Sequence, residues 1–171
     1  MALEYIASTA TPSGSFLEID NIPNTYNSLQ ITGAMSCTGT TTADCYMRFN
    51  TVTTTTYNSM YGGWRDGSTS TYNMTNNEGH FGRAPNDNHN VGYVYAPLYL
   101  EIFAYRGNQP GNLGWYSIAT YANGSSDGNC QFYTGWYAED STADLTKIQF
   151  ITSQGSWDAD TVFHLYGRTT S

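Results

Sequence analysis

The chain has 171 residues and a formal net charge of −8. This length suits a single domain, and six Lys and Arg residues in total are too few for the clustered basic patch of a nucleic-acid-binding protein. Tyr, Phe, Trp and Thr are abundant, which favours β-strands. The chain has no run of about 20 apolar residues, so the sequence predicts no membrane-spanning helix.

Short strands separated by turn signals are predicted at the start of the chain. Residues 3–8, 16–22, 29–33 and 45–49 largely alternate apolar and polar side chains, which is the pattern of a half-buried strand. Pro and Gly at residues 11–14 and again Pro23 mark the turns between them, because proline cannot donate to a strand ladder and both residues favour turns.

Residues 62–90 differ in character from the rest of the chain. They are rich in Gly, Asn, Ser, Thr and Asp, with single aromatic residues spaced along them. A loop of this length is uncommon in a compact domain unless it is functional or carries its own hairpin. We therefore predict one domain spanning residues 1–171, from which residues 62–90 extend as a long, partly structured polar excursion.

The second half of the chain predicts further strands. Residues 91–105 form the longest apolar segment, and Pro97 within it favours a bent strand or two strands that meet there. Residues 115–121 and 130–137 predict a hairpin around Asn123-Gly124, and residues 145–150 and 162–166 predict the last strands. Eight to ten short strands without a convincing helix are typical of an all-β antiparallel sandwich or barrel.

No constellation of residues predicts catalysis. The letters of the Gly-x-Ser-x-Gly motif occur once, at residues 124–128, but they fall in the predicted hairpin and lack the strand-to-helix context of a nucleophile elbow. His164 is expected to be a structural histidine within a strand. His80, Asp87 and His89 match no usual metal-ligand spacing, so a solvated loop is the favoured interpretation.

The acidic and sulfur-containing residues are also given structural roles. Paired catalytic carboxylates must face each other across a cleft, whereas the candidates here fall in turn-like segments: Glu139, Asp140, Asp144, Asp158 and Asp160. Cys37, Cys45 and Cys130 form neither a disulfide framework nor a zinc motif, and buried thiols are favoured over a cross-hairpin pair of Cys37 and Cys45. The sequence thus predicts no cofactor, no metal and no enzyme activity.

Aromatic residues in and beside residues 62–90 are the candidate functional residues. Exposed Tyr and Trp often mark an interface, because they bury large areas at low entropic cost. An interface role and a small core that fixes the excursion to the sandwich are equally favoured. The candidate interface residues are Tyr57, Tyr61, Trp64, Tyr72 and Phe81.

Three segments near the two ends of the chain suggest a family. Residues 16–31 read FLEIDNIPNTYNSLQI, residues 145–151 read LTKIQFI, and residues 163–167 read FHLYG. Together they resemble a group of small β-sandwich virion proteins of tailed bacteriophages, in which an early strand leads into an Asn-Ile-Pro-x-Thr-Tyr-x-x-Leu turn and the chain closes on Leu-Tyr-Gly. The resemblance implies a jelly-roll-like sandwich with its two termini close together.

The resemblance also implies a function. Members of this group are expected to act as capsid decoration or cement proteins, made in the host cytoplasm and bound to the outer surface of the assembled virion head. The implied partners are the major capsid protein and further copies of the same chain, with a trimer favoured over a dimer, and neither nucleic acid nor membrane. The excursion and the N-terminal strand are the candidate contacts, so deleting residues 63–88 is expected to leave a folded sandwich that no longer coats the shell.

Two alternatives from another functional class remain open. The same scaffold suits a receptor-binding or carbohydrate-binding head of a tail fibre or tailspike, although the chain has no fibre-like repeat or stalk. A carbohydrate-binding module of a secreted enzyme is the third hypothesis. Residues 1–6 lack the basic region of a secretory signal, which disfavours that third hypothesis.

Overall fold

The computed structural model describes residues 2–12, 14–39, 42–53, 57–65, 68–85, 95–103, 112–123, 127–138 and 144–169. Within these ranges the chain forms twelve β-strands: β1 (Ala2–Ser8), β2 (Phe16–Ile19), β3 (Ser28–Met35), β4 (Ala43–Phe49), β5 (Tyr57–Arg65), β6 (Ser68–Asn76), β7 (Gly79–Ala84), β8 (Ala96–Phe103), β9 (Asn112–Asn123), β10 (Asp127–Ala138), β11 (Ile148–Thr152) and β12 (Val162–Thr169). Among the described residues, no helix is long and apolar enough to cross a membrane.

The strands form two antiparallel sheets. The large sheet has the order β1-β12-β3-β8-β9-β10-β5-β6, and the small sheet has the order β2-β11-β4-β7. If the edge pair β1–β12 and the β9–β10 hairpin are set aside, eight strands remain, and their orders in the two sheets are β3-β8-β5-β6 and β2-β11-β4-β7. This is the arrangement of an eight-stranded jelly roll. The prediction of a jelly-roll-like antiparallel sandwich is confirmed.

The core lies between the two sheets and is rich in aromatic rings. Along β4 and β12, every second side chain is buried, because successive residues of a strand point to opposite faces of the sheet. Phe49 of the small sheet meets Trp115 of the large sheet edge-on at 6.0 Å, and Phe150 packs on Phe163 at 4.5 Å. These contacts across the two layers hold the sandwich together.

The two sequence motifs near the ends of the chain meet in space. β1 pairs with β12 from Ala2 opposite Thr169 to Ser8 opposite His164, so the termini are adjacent, as expected. The ring of Tyr26 from the early motif lies against Gly167 of the closing motif, where an added Cβ would stand 2.3 Å from ring carbons. This contact gives a physical reason for both the tyrosine and the glycine.

Regular strands occupy the described part of residues 62–90, where we expected a polar excursion. β5 and β6 form a hairpin at the edge of the large sheet, and β7 belongs to the small sheet. β6 reads as polar because it is an edge strand that the small sheet does not cover. Residues 86–90, with Asp87 and His89, lie outside the described residues.

The remaining strand predictions are close to the structure. The predicted hairpin is present, since β9 and β10 pair from Asn123 opposite Asp127 to Asn112 opposite Ala138. Pro97 is the second residue of β8 and is exposed, so the described strand begins beside the proline and is not divided by it. Residues 91–94 lie outside the described part.

Candidate functional site

The outward side of the large sheet carries a group of exposed apolar side chains, here called the aromatic face. Neighbouring strands β8, β9, β10 and β5 contribute Phe103, Ile118, Phe132, Trp136 and Met60, each 38–54% exposed. The strand register makes them neighbours: Ile118 stands opposite Phe132, and Trp136 and Phe103 flank Gly114. Contiguous exposed apolar patches often mark interaction surfaces.

Local packing fixes the rings of the aromatic face. A Cβ added at Gly62 would lie 2.6 Å from the ring of Phe132, so this ring covers the glycine backbone of β5. Phe103 stacks on Tyr116 with ring centres 5.5 Å apart and an angle of 21°. Held in this way, the side chains lose little entropy on binding, which favours association.

A buried carboxylate lies beside the aromatic face, at the centre of the same side of the sheet. Glu101 is 8% exposed, and its Oε2 accepts hydrogen bonds from the hydroxyls of Tyr99 (2.9 Å) and Tyr116 (3.2 Å). Its Oε1 lies 3.5 Å from Nη1 of Arg168. Burial, and then the hydrogen bonds to Tyr116 and Glu101, raise the pKa of Tyr99 well above its usual value.

The aromatic side of the large sheet is nearly free of charge. Among its described outward side chains the charged residues are Glu101 and Arg168, which pair with each other. The chain as a whole carries a net charge of −8, so the acidic residues lie mainly elsewhere. An uncharged surface avoids the desolvation cost that charged groups impose on association.

The five candidate interface residues do not form one site. Tyr57 and Phe81 are fully buried, so the expectation that they belong to an interface is wrong; they belong to the core between the sheets. Tyr61 is partly buried and Tyr72 is 55% exposed. The backbone of Trp64 belongs to β5, but its side chain lies outside the described part of the structure.

Tyr61 and Tyr72 belong to a line of rings, here called the tyrosine row. The row exists because the large sheet extends past the edge of the small sheet, which leaves the inner side of β6 uncovered and Tyr61 of β5 only partly buried. Adjacent ring centres are 5.8 Å apart for Tyr72 and Tyr61, 5.8 Å for Tyr61 and His80, and 5.0 Å for His80 and Tyr46.

A polar cleft of about 350 Å³ opens at the Tyr46 end of the tyrosine row. Arg48 bonds through Nη2 to Oε1 of Glu78 and through Nη1 to Oε1 of Gln149 at 3.3 Å. Burial, and then the carboxylates of Asp44 and Glu78, raise the pKa of Tyr46 to about 12. The described residues that line the cleft are Tyr46, Arg48, Thr53, Thr75, Asn76, Asn77 and Glu78.

His80 is a buried neutral histidine within the tyrosine row. It is 2% exposed, and its Nε2 lies 3.1 Å from the carbonyl oxygen of Gly82, which makes Nε2 the protonated nitrogen. Burial lowers its pKa to about 4, and Asp44, 3.7 Å from Nε2, only partly opposes that effect. Nδ1 is buried and has no hydrogen-bond partner among the described residues.

A second polar cleft, of about 250 Å³, contains strained backbone. Asn21, Asn50 and Thr51 line it and have φ angles of 57°, 50° and 61°. This conformation is uncommon outside glycine and unfavourable for a β-branched residue such as Thr51. The side chain of Asn50 accepts from the backbone N–H groups of Thr146 and Lys147, so these bonds hold the turn in a structural role.

The remaining candidates have structural environments. His164 bonds through Nδ1 to Oγ of Ser8 at 2.6 Å, as a structural strand histidine would. Asp158 is buried in a turn and accepts from the Tyr95 hydroxyl. Cys37 and Cys45 are buried as predicted, whereas Cys130 is exposed. Glu139 and Asp140 lie outside the described residues, among which no cluster of His, Cys, Asp and Glu could hold a metal.

The sequence did not predict the aromatic face. Alternation along residues 130–137 separates Gln131, Tyr133 and Gly135, which are buried, from Phe132, Thr134 and Trp136 on the outward side. Both sets contain aromatic residues, so alternation alone does not tell which set points outward. The sequence does contain one signal, which is an excess of apolar residues in these strands. Strands with apolar residues on both sides are typical of sheets that are covered on both sides.

Comparison with known proteins gives no assignment. No family model matches the chain, and no curated protein or solved structure is significantly similar to it.

Proposed function

We propose that this chain is a non-enzymatic structural protein of a tailed-phage virion, most specifically a decoration protein that binds the outer surface of the assembled head. Its partners are then the major capsid protein and further copies of itself, with a trimer favoured. The motifs at residues 16–31 and 163–167 support this assignment by resemblance. The single observation that carries it is the exposed, nearly uncharged aromatic face.

The large sheet that carries the aromatic face is wide enough for a protein-binding surface, and the face has the chemistry of one. Strand spacing of about 4.8 Å makes an eight-stranded sheet on the order of 35 Å wide, and a standard protein interface needs only about 800 Å² from each partner. Phe103, Ile118 and Met60 have no polar groups to recognise a small polar ligand. Another protein surface is therefore the fitting partner.

Binding through this face would stabilise a shell by mass action. A protein that binds the assembled shell, but not the free subunits, shifts the equilibrium toward the shell by an amount that grows with its concentration. A flat sheet face suits this task, because the boundaries between capsid subunits present extended surfaces.

The test is a binding experiment with undecorated heads assembled from the capsid protein of the same phage. We expect the chain to co-sediment with the heads and not with free capsid protein, and to raise the temperature at which the heads open. The double variant F132S/W136S removes the two most exposed rings of the aromatic face and is expected to lower head affinity at least tenfold.

The matched control is F16S, which changes another exposed phenylalanine, 48% exposed, on β2 of the small sheet. It is expected to bind heads as the wild type does. Unchanged binding by F132S/W136S would rule out the aromatic face as the contact. Cryo-electron microscopy that located the chain only on the tail would rule out the decoration role itself.

A second candidate function is a receptor-binding or carbohydrate-binding head on a tail fibre or tailspike. The observation that favours it is the tyrosine row, which leads to the polar cleft on a different side of the molecule from the aromatic face. The same microscopy separates the two candidates, because few copies at the tail would replace many copies on the head.

A further inference from the structure

We infer that the polar cleft beside Tyr46 is a binding site for a neutral carbohydrate. The inference concerns a different surface from the aromatic face and does not depend on where in the particle the protein sits. It rests on the lining of the cleft, the unmet hydrogen-bonding capacity at its wall, and the aromatic rings that adjoin it.

The lining matches a ligand made of hydroxyl groups. Asn76 and Asn77 offer carboxamides, and Thr53 offers a hydroxyl; each of these groups can both donate and accept. A sugar hydroxyl likewise donates and accepts, so every such group on the wall can find a partner. The cleft volume of about 350 Å³ lies within the range of small-molecule sites.

The charge of the lining excludes the main competing ligand classes. Arg48 and Glu78 are the charged residues among the described lining, and they bond to each other. A phosphate or carboxylate ligand needs cations that are not already neutralised, and a cationic ligand needs the converse. A neutral polyhydroxylated ligand meets neither obstacle.

The wall of the cleft also holds an unmet donor. Nε of Arg48 is buried and has no hydrogen-bond partner among the described residues. A buried donor without an acceptor is unfavourable, so an oxygen supplied to Nε from the cleft would stabilise the guanidinium. A ligand hydroxyl beside Arg48 and Glu78 supplies that oxygen.

Aromatic rings adjoin the polar lining. Tyr46 lines the cleft and packs on His80, and the row continues to Tyr61 and the exposed Tyr72. Tyrosine combines an apolar ring with a polar hydroxyl, which suits the apolar C–H face and the hydroxyl rim of a pyranose. The cleft therefore fits one sugar unit, with the ring of Tyr46 beside it.

The test is a glycan array of neutral and acidic oligosaccharides probed with the full chain, followed by NMR titration with the best neutral binder. We expect neutral glycans to bind, with amide shifts concentrated at residues 46–48 and 75–78. The variant N76A/N77A removes only the two side-chain amides at the rim of the cleft and is expected to weaken binding at least tenfold. The variant Y46F removes the hydroxyl of Tyr46 and keeps its ring, so it measures the contribution of the hydroxyl alone.

F132S on the aromatic face is the control and is expected to bind glycans as the wild type does. Three results would overturn the inference: no shift at the cleft with any neutral glycan at about 10 mM, where even millimolar sites are filled; affinity that survives N76A/N77A; or a preference for acidic glycans. None of these results bears on head binding, so the two proposals fail separately.

Discussion

At the residue scale, the contact between Tyr26 and Gly167 makes a prediction about stability. Alanine at position 167 would place its Cβ 2.3 Å from ring carbons of the buried Tyr26, so Gly167→Ala is expected to destabilise the fold by about 1–3 kcal/mol through overpacking. Gly114→Ala is the matched control, because its Cβ would meet Phe103 at an ordinary 3.5 Å. Urea unfolding of both variants measures the difference, and equal stabilities would contradict the role given to the closing motif.

His80 makes a second prediction, on pH dependence. Its pKa is about 4 in the folded state and near 6.5 when unfolded, so the unfolded chain binds more protons between these values and stability falls as pH falls from about 6.5 to 4. The His80→Gln variant is expected to lose this contribution, which makes its slope of unfolding free energy against pH shallower by up to about 1.4 kcal/mol per pH unit. Parallel curves for variant and wild type would contradict the neutral state of His80.

At the element scale, β7 is part of the core and not of a dispensable loop. Phe81 packs against both Phe150 and Phe163, at 5.6 and 6.2 Å, so Phe81→Ala is expected to cost about 3–5 kcal/mol. Tyr72→Ala, on the exposed edge strand β6, is expected to change stability by only about 0.5 kcal/mol. Thermal unfolding distinguishes them, and similar losses would place β6 in the core as well. Deletion of residues 63–88 is now expected to unfold the protein, because it removes β7.

The elements that the sequence predicted well are those whose two sides differ in polarity. β4 and β12 alternate strictly, because one side faces the core and the other faces water, and the prediction followed that pattern. β6 was not predicted as a strand, because an uncovered edge strand has no apolar side and therefore shows no alternation of polarity. Its Thr and Asn residues are also typical of loops. β7, with all residues but Arg83 buried, shows no alternation for the opposite reason.

At the scale of the whole molecule, the sequence predicts the sandwich but not which surfaces remain open. The eight-stranded sheet is wider than the four-stranded one, so its overhang exposes Tyr72 while Tyr57, on the same hairpin, is covered. Whether a given aromatic residue is core or surface therefore depends on the relative widths of the two sheets. That quantity is set by strand pairings distant in sequence, such as β5 with β10, which local patterns do not encode.

The distribution of charge leads to a prediction for the assembled particle. The chain carries a net charge of −8, yet the charged residues among the described outward side chains of the large sheet are Glu101 and Arg168, which pair with each other. If this face is the contact, head binding buries apolar surface and no unpaired charge, so its affinity is expected to hold or rise when salt is raised from about 0.05 to about 0.5 M, as screening weakens any long-range repulsion. Co-sedimentation at both salt concentrations is the measurement. The variant Arg168→Gln, which leaves Glu101 without its cationic partner, is measured beside the wild type. A tenfold fall in wild-type affinity at high salt would show instead that ion pairs hold the protein to the shell, and would move the contact to the charged surface outside the aromatic face.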